Sequence, residues 1–285
     1  MPAFKLTYEP ENLALADKAS WVSSTDGDTP TIQTPVRMLG MDAPELHFGG
    51  ASETNPGKFD LPFESFLKNA GRTLPAGLQK HLGKRLAGKA CTRHIEAGKA
   101  ALEHFEAIVA TRLDRGLGGN GKPLQPRRLF VMASNEVFDR YGRFLCYLNA
   151  NYTRAERESI PAAKRPTFNL HMMQDGHAAS LLIYPNVPKP DDLALVRKAV
   201  GKARTGKKGF WAQASKMLLA YEFRWVIDTI AGTRNGPDRF CGDLETGVLH
   251  APAMYYKVAP EDRLFFYARD VGRAMDMGFR MATEA

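Results

Sequence analysis

The pattern of apolar and polar positions divides the chain into strands, then helices, then strands and helices again. Residues 4–8 alternate in the manner of a strand. Trp21 and Val22 lead into a turn at Asp26-Gly27-Asp28, and residues 36–39 form a short apolar strand. Residues 46–62 are rich in Gly, Ser, Asn and Pro and read as a loop. Two helical stretches follow. In the second, Ile95, Leu102, Phe105 and Val109 recur at steps of seven, three and four residues, so they share one face. It stops at the glycine-rich run 116–121. Strand patterns resume at 128–133 and 143–148. Residues 150–166 are polar and read as a loop or short helix, and 168–175 as a helix closed by Gly176. Residues 191–207 form a basic helix that Pro190 introduces. The tail, 213–285, has an apolar stretch around 218–230, strands at 247–256 and 264–267, and a helix at 269–277. This order predicts an α+β protein, and a small antiparallel barrel with helices packed on it satisfies it.

Composition narrows the class. Of 285 residues, 44% are hydrophobic and 25% charged, the balance of an ordinary globular chain. The longest apolar runs, such as residues 181–184, are far too short to cross a bilayer. The N-terminus runs through Lys5 into Glu9 and Glu11, without the basic start and apolar block of a secretory signal. Cys91, Cys146 and Cys241 are odd in number and far apart, which argues against a disulfide framework or a CxxC metal site. A cytoplasmic protein with reduced thiols is the resulting expectation. Lys and Arg number 39 against 31 Asp and Glu, a net charge of +8 that suits a polyanionic partner without requiring one.

Three clusters carry candidate chemistry: Asp26-Gly27-Asp28-Thr29, the segment 36–45 (VRMLGMDAPE), and Asp139-Arg140-Tyr141-Gly142-Arg143. Asp28 and Asp42 can supply hard oxygen ligands to a divalent cation. Arg37 and Arg143 can each offer a planar fork to phosphate oxygens. Glu45 lies close enough in sequence to Asp42 to orient or deprotonate a water. Taken singly, each cluster has a plain structural reading as a turn or capped loop. Together, in this order, they point to a phosphate-cutting site. The seven histidines form no motif, which argues against a histidine general base and against Zn²⁺.

DGDT, then VRMLGMDAPE, then DRYGR resemble the staphylococcal-nuclease-like (thermonuclease, micrococcal nuclease) family. The resemblance continues weakly through Asn169, Gly176, Ala178, Tyr184 and Phe210-Trp211, and covers about residues 15–212 with a large interruption. It implies a five-stranded OB-type β-barrel with packed helices. It also implies metal-dependent hydrolysis of DNA or RNA, with 3′-phosphate and 5′-hydroxyl ends. Carried over residue by residue, Asp28 and Asp42 would hold Ca²⁺ with the Ala43 carbonyl. Arg37 and Arg143 would clamp the scissile phosphate, and Glu45 would act on the attacking water. Arg140, Tyr141 and Tyr184 would contact substrate. The family's second binding-site tyrosine is Leu182 here.

The departures set the domain expectation: a nuclease-like domain at 1–212 with a helical insertion at about 46–97, and a C-terminal extension at 213–285. Pro30 interrupts a strand and confines it to an edge or breaks it. Two basic runs, Lys80 to Arg93 and Arg197 to Lys208, are candidates to follow a phosphate backbone or to be solvated helix faces. The insertion is expected to lie beside the site's mouth and to affect substrate choice. The rival to a nuclease is a non-catalytic nucleic-acid- or protein-binding module of the same fold. Retention of Asp28, Arg37, Asp42, Glu45 and Arg143 favours the enzyme.

Overall fold

The computed structural model describes residues 19–139 and 141–283. The strand read at 4–8, and Arg140, lie outside the described residues. Four strands open the fold: β1 (Ser20–Ser24), β2 (Pro30–Gln33), β3 (Val36–Met38) and β4 (Gly40–Asp42). Helices α1 (Asp60–Phe66), α2 (Ala76–Gly83) and α3 (Ala90–Leu113) follow, then β5 (Leu129–Phe138) and β6 (Phe144–Ala150). Next come α4 (Arg154–Ser159), α5 (Phe168–Gln174), β7 (Ala179–Ile183), α6 (Pro190–Thr205) and α7 (Ala220–Ile230). The chain closes with β8 (Phe240–Asp243), β9 (Val248–His250), β10 (Arg263–Phe266), α8 (Val271–Asp276) and β11 (Arg280–Met281).

The α+β class is borne out. Among the described residues the strands form three separate sheets, and no closed five-stranded barrel is present. β1 and β2 make an isolated antiparallel hairpin whose residues are all exposed. Pro30, which has no N–H to give a second neighbour, sits at its edge as the sequence required. β3, β6 and β5 form a second sheet, and β11-β9-β8-β10-β7-β4 form a third.

One glycine explains how residues 36–45 belong to two sheets. Gly40 has φ +73°, a conformation that other residues adopt only with strain. The chain turns there from β3, which pairs with β6, into β4, which pairs with β7 so that Asp42 opposes Ala179. Buried Asn169 on α5 ties this corner together. Its amide N–H groups donate to the carbonyls of Leu39 (2.9 Å) and Cys146 (3.3 Å), and its Oδ1 accepts from Leu148 N–H at 3.0 Å.

Helix starts follow local chemistry. The Asp60 carboxylate accepts from the Cys91 and Thr92 N–H groups (2.8 and 3.1 Å) and so satisfies the first turn of α3 from another helix. Thr167 caps α5 through Leu170 N–H, and Pro190 with Asp191 and Asp192 opens α6.

The insertion and the extension share the main core. Phe63 of α1 meets Phe223 of α7 edge-on at 5.7 Å, and Phe66 meets Trp225 at 6.1 Å. His81 of α2 bonds the fully buried Glu222 at 2.8 Å. β10 lies between β7 and β8, so the extension continues the sheet that holds β4.

The apolar stretch at 218–230 is helix α7, begun where Glu222 accepts the Leu219 N–H at 2.8 Å. The strand expected at 247–256 is only β9; Pro252 cannot donate to a ladder, and residues Pro252–Lys257 form a 3-10 turn. Several arginines of the basic runs are tied into the fold. Arg197 bonds Asp262 (2.7 Å) and Glu245, and Arg204 forks onto Glu261. Arg93 donates to the carbonyls of Ala87, Gly88 and Lys216. No helix among the described residues is long and apolar enough to cross a membrane.

Candidate active site

The site assembles around Asp42, at the end of β4 and only 1% exposed. Arg37, five residues earlier on β3, donates Nη2 to Asp42 Oδ1 at 2.6 Å. Arg224 of α7 places Nη1 3.0 Å from Oδ1 and Nη2 2.8 Å from Oδ2 of the same carboxylate. Its Nη1 also bonds Glu45 Oε1. Two acids and two guanidiniums thus form one charged cluster. Burial pushes the Asp42 carboxyl up, but Arg224 and Arg37 outweigh it and hold it below the usual carboxylate range. The same contacts, against burial, raise the Arg224 guanidinium above its already high value.

The Glu45 backbone is held from the other side by α3. Its N–H donates to His94 Nε2 at 2.9 Å. Buried His94 in turn stacks flat on Phe223, with ring centroids 3.8 Å apart and planes 5° apart. Burial and the nearby Arg224 push the imidazole down to about 3, so it stays neutral and accepts this bond. His171 and His177 are also pushed down by burial. The folded chain therefore binds fewer protons than the unfolded one below pH 6.5, and stability falls as pH drops from 6.5 toward 3. For His94 alone the expected loss is about 1.4 kcal/mol per pH unit in that window. Urea melts at pH 7.5 and 5.5 check this, and His94→Asn should flatten the difference; equal stability at both pH values contradicts it.

Gly98, one turn further along α3, sits directly against the Glu45–Leu46 peptide. A Cβ there would lie 2.5 Å from Glu45 O and 2.9 Å from Leu46 N, contacts that backbone cannot relieve without moving. Gly98→Ala is expected to displace Glu45 and lower activity about tenfold or more. Kinetics of the variant, with circular dichroism to confirm folding, check this.

The other sequence-derived residues fall differently. Arg143 bonds Asp139 through Nε at 2.8 Å, and Asp139 also accepts the N–H groups of Tyr141 and Arg143. Burial raises the Asp139 carboxyl, but these bonds and the Arg143 charge prevail and keep it low. Phe144 pairs with Val36 in register, and its N–H donates to Pro35 O at 3.2 Å, so Arg143 borders the strand that carries Arg37. Tyr141 is exposed, with the Arg143 guanidinium over its ring at 5.4 Å. Tyr184 stacks on Phe266 at 5.7 Å, and Leu182 is fully buried in the second core cluster. Ala43 packs against the main core. Asp28 lies at the exposed tip of the β1–β2 hairpin, bonded to Thr29 at 3.2 Å.

Among the described residues, no three His, Cys, Asp or Glu side chains are arranged to hold a metal ion, so Asp28 does not join Asp42 and Glu45 in such a group. The donor set does not fit Ca²⁺ as it stands. Both oxygens of Asp42 and one of Glu45 already accept from guanidinium groups of the cation's own sign. Three of the seven histidines do gather in space: His104 and His171 both bond Asp175, and His177 stacks on His104. Sequence reasoning missed Arg224 and His94. Neither carries a local signal, since their partners lie 179 and 49 residues away.

Residues 122–213 match the sequence model of the Staphylococcal nuclease homologue family. The chain carries a staphylococcal-nuclease-like domain. It is similar to endonuclease YhcR of Bacillus subtilis (strain 168), 26% identical over 140 residues, which are 49% of this chain and 10% of that protein. The chain thus spans about a tenth of the length of the curated relative it matches. The matched segment holds Asp139, Arg143 and Tyr184. Arg37, Asp42 and Glu45 lie outside it and join it through the β3–β6 and β4–β7 pairings.

Proposed function

We propose that the chain is a nuclease that hydrolyses phosphodiester bonds of DNA or RNA, leaving 3′-phosphate and 5′-hydroxyl ends. The observation that supports this most is the convergence of Arg37, Asp42 and Glu45 at the edge of a staphylococcal-nuclease-like segment that itself supplies Arg143. In this reading Arg37 and Arg143 bind the non-bridging phosphate oxygens and offset the negative charge that grows at phosphorus. Glu45, its backbone fixed by His94, accepts the proton of the attacking water. Tyr141, exposed beside Arg143, contacts the substrate chain. Ca²⁺ is the cation that the resemblance implies, with Asp28, Asp42 and the Ala43 carbonyl as its ligands; both Asp42 oxygens are held by guanidiniums of Arg37 and Arg224.

Digestion of labelled single-stranded DNA, double-stranded DNA and RNA, with millimolar Ca²⁺ and with a chelator, tests the proposal. Cleavage of at least one substrate is the expected result. Absence of cleavage together with salt-sensitive retention of the same oligonucleotides overturns it in favour of a binding module.

A further inference from the structure

We propose that Arg224 is a resident cation of this site: its guanidinium occupies the position between Asp42 and Glu45 where a divalent ion would bind, so that a metal enters only by displacing it. The inference rests on the reading of Asp42 and Glu45 as the acids of a nuclease site.

Three observations carry it. The first is donor occupancy. An ionised carboxylate oxygen offers about two acceptor directions. Asp42 Oδ1 uses both, on Arg37 and Arg224, and Oδ2 accepts from Arg224 as well. The planar fork matches the carboxylate edge and bridges on to Glu45 as a small cation would.

The second is charge. Asp42 and Glu45 bring two negative charges, and Arg37 and Arg224 bring two positive ones. A divalent ion added to this balanced group meets two like-charged neighbours in a poorly hydrated place. With Arg224 absent, one buried acid and its neighbour have only Arg37 to offset them, and a cation becomes favourable.

The third is rigidity. Arg224 is flanked on α7 by Phe223 and Trp225, buried against Phe63, Phe66 and His94. The same helix turn therefore fixes the Glu45 carboxylate through Arg224 and the Glu45 backbone through His94. α7 is a core element, not a surface lid. Arg224 itself is 22% exposed, so its side chain is what an entering metal would displace.

The test is a calcium titration by calorimetry, with thermal melts, on the full chain as wild type, Arg224→Gln and Arg224→Gln/Asp42→Asn. Arg224→Gln is expected to bind Ca²⁺ about tenfold or more tightly than wild type, and Asp42→Asn to abolish that gain. Ca²⁺ should raise the melting temperature of Arg224→Gln and leave that of wild type unmoved, because only the variant gains a ligand on folding. Equal calcium affinity in wild type and Arg224→Gln overturns the proposal, as does a gain that survives Asp42→Asn. If Arg224→Gln does not fold, the wild-type melt decides: a clear rise with millimolar Ca²⁺ overturns the proposal, and no rise agrees with it. Calcium binding is read here without any cleavage assay, so failure of the nuclease reading shows separately, in the digestion.

Discussion

Arg143→Ala and Glu45→Gln are each expected to lower nucleic-acid cleavage by about a hundredfold to ten thousandfold, with little change in fold. Glu45 would lose the carboxylate that takes the water's proton. Arg143→Ala would remove one of the two charges placed to meet the phosphate in the transition state. The structure says why folding should survive. Arg143 is a third exposed at its side chain, and its partner Asp139 keeps the N–H bonds of Tyr141 and of residue 143 itself. When Glu45 loses its charge, Arg224 keeps its fork on Asp42. Single-turnover kinetics with circular dichroism check both variants. Wild-type turnover in either one removes that residue from the role assigned to it.

A chain cut after Ala212 is expected not to fold. The extension supplies Phe223 and Trp225 to the main core, and truncating two such buried aromatics alone costs about 6–10 kcal/mol. That is comparable to the whole stability of an ordinary domain, about 5–15 kcal/mol. The cut also strips β10 from β7, where Leu264 pairs with Leu182, and leaves buried His94 without the ring it stacks on. Limited proteolysis and the cooperativity of a urea melt check this. A cooperative, protease-resistant fragment would show that 213–285 is a separable unit and that the site stands without it.

Much of the local structure is legible from pattern. Helix α3, the closure of α5 at Gly176 and the Pro190 start of α6 all follow from nearest-neighbour rules. So does the isolation of β2 by Pro30. Of the expected α3 face, Ile95 is buried and Phe105 and Val109 pack on the core, whereas Leu102 is exposed and Ala101 and Ile108 take the core side. Helix α7 mixes its apolar residues with Glu222, Arg224 and Asp228, and Glu222 and Arg224 meet their partners His81 and Asp42 far away in sequence, which no local pattern reveals. The 247–256 segment reads as a strand, but Pro252 ends the ladder after three residues.

For the site, the sequence by itself determined the residues that lie within one short segment. Arg37, Asp42 and Glu45 are separated by five and three positions, and Gly40 between them permits the turn that brings β3 and β4 to one corner. Only the tertiary structure decided what surrounds them. Arg224 reaches Asp42 from 182 residues away, and His94 reaches the Glu45 N–H from 49 away. Asp28, which the sequence places with Asp42, stays on an exposed hairpin. The physical reason is range. Periodicity and capping encode relations between residues a few positions apart. Which charge meets a buried carboxylate depends on how whole faces pack, and here that was settled by α7 packing against α1 and α3.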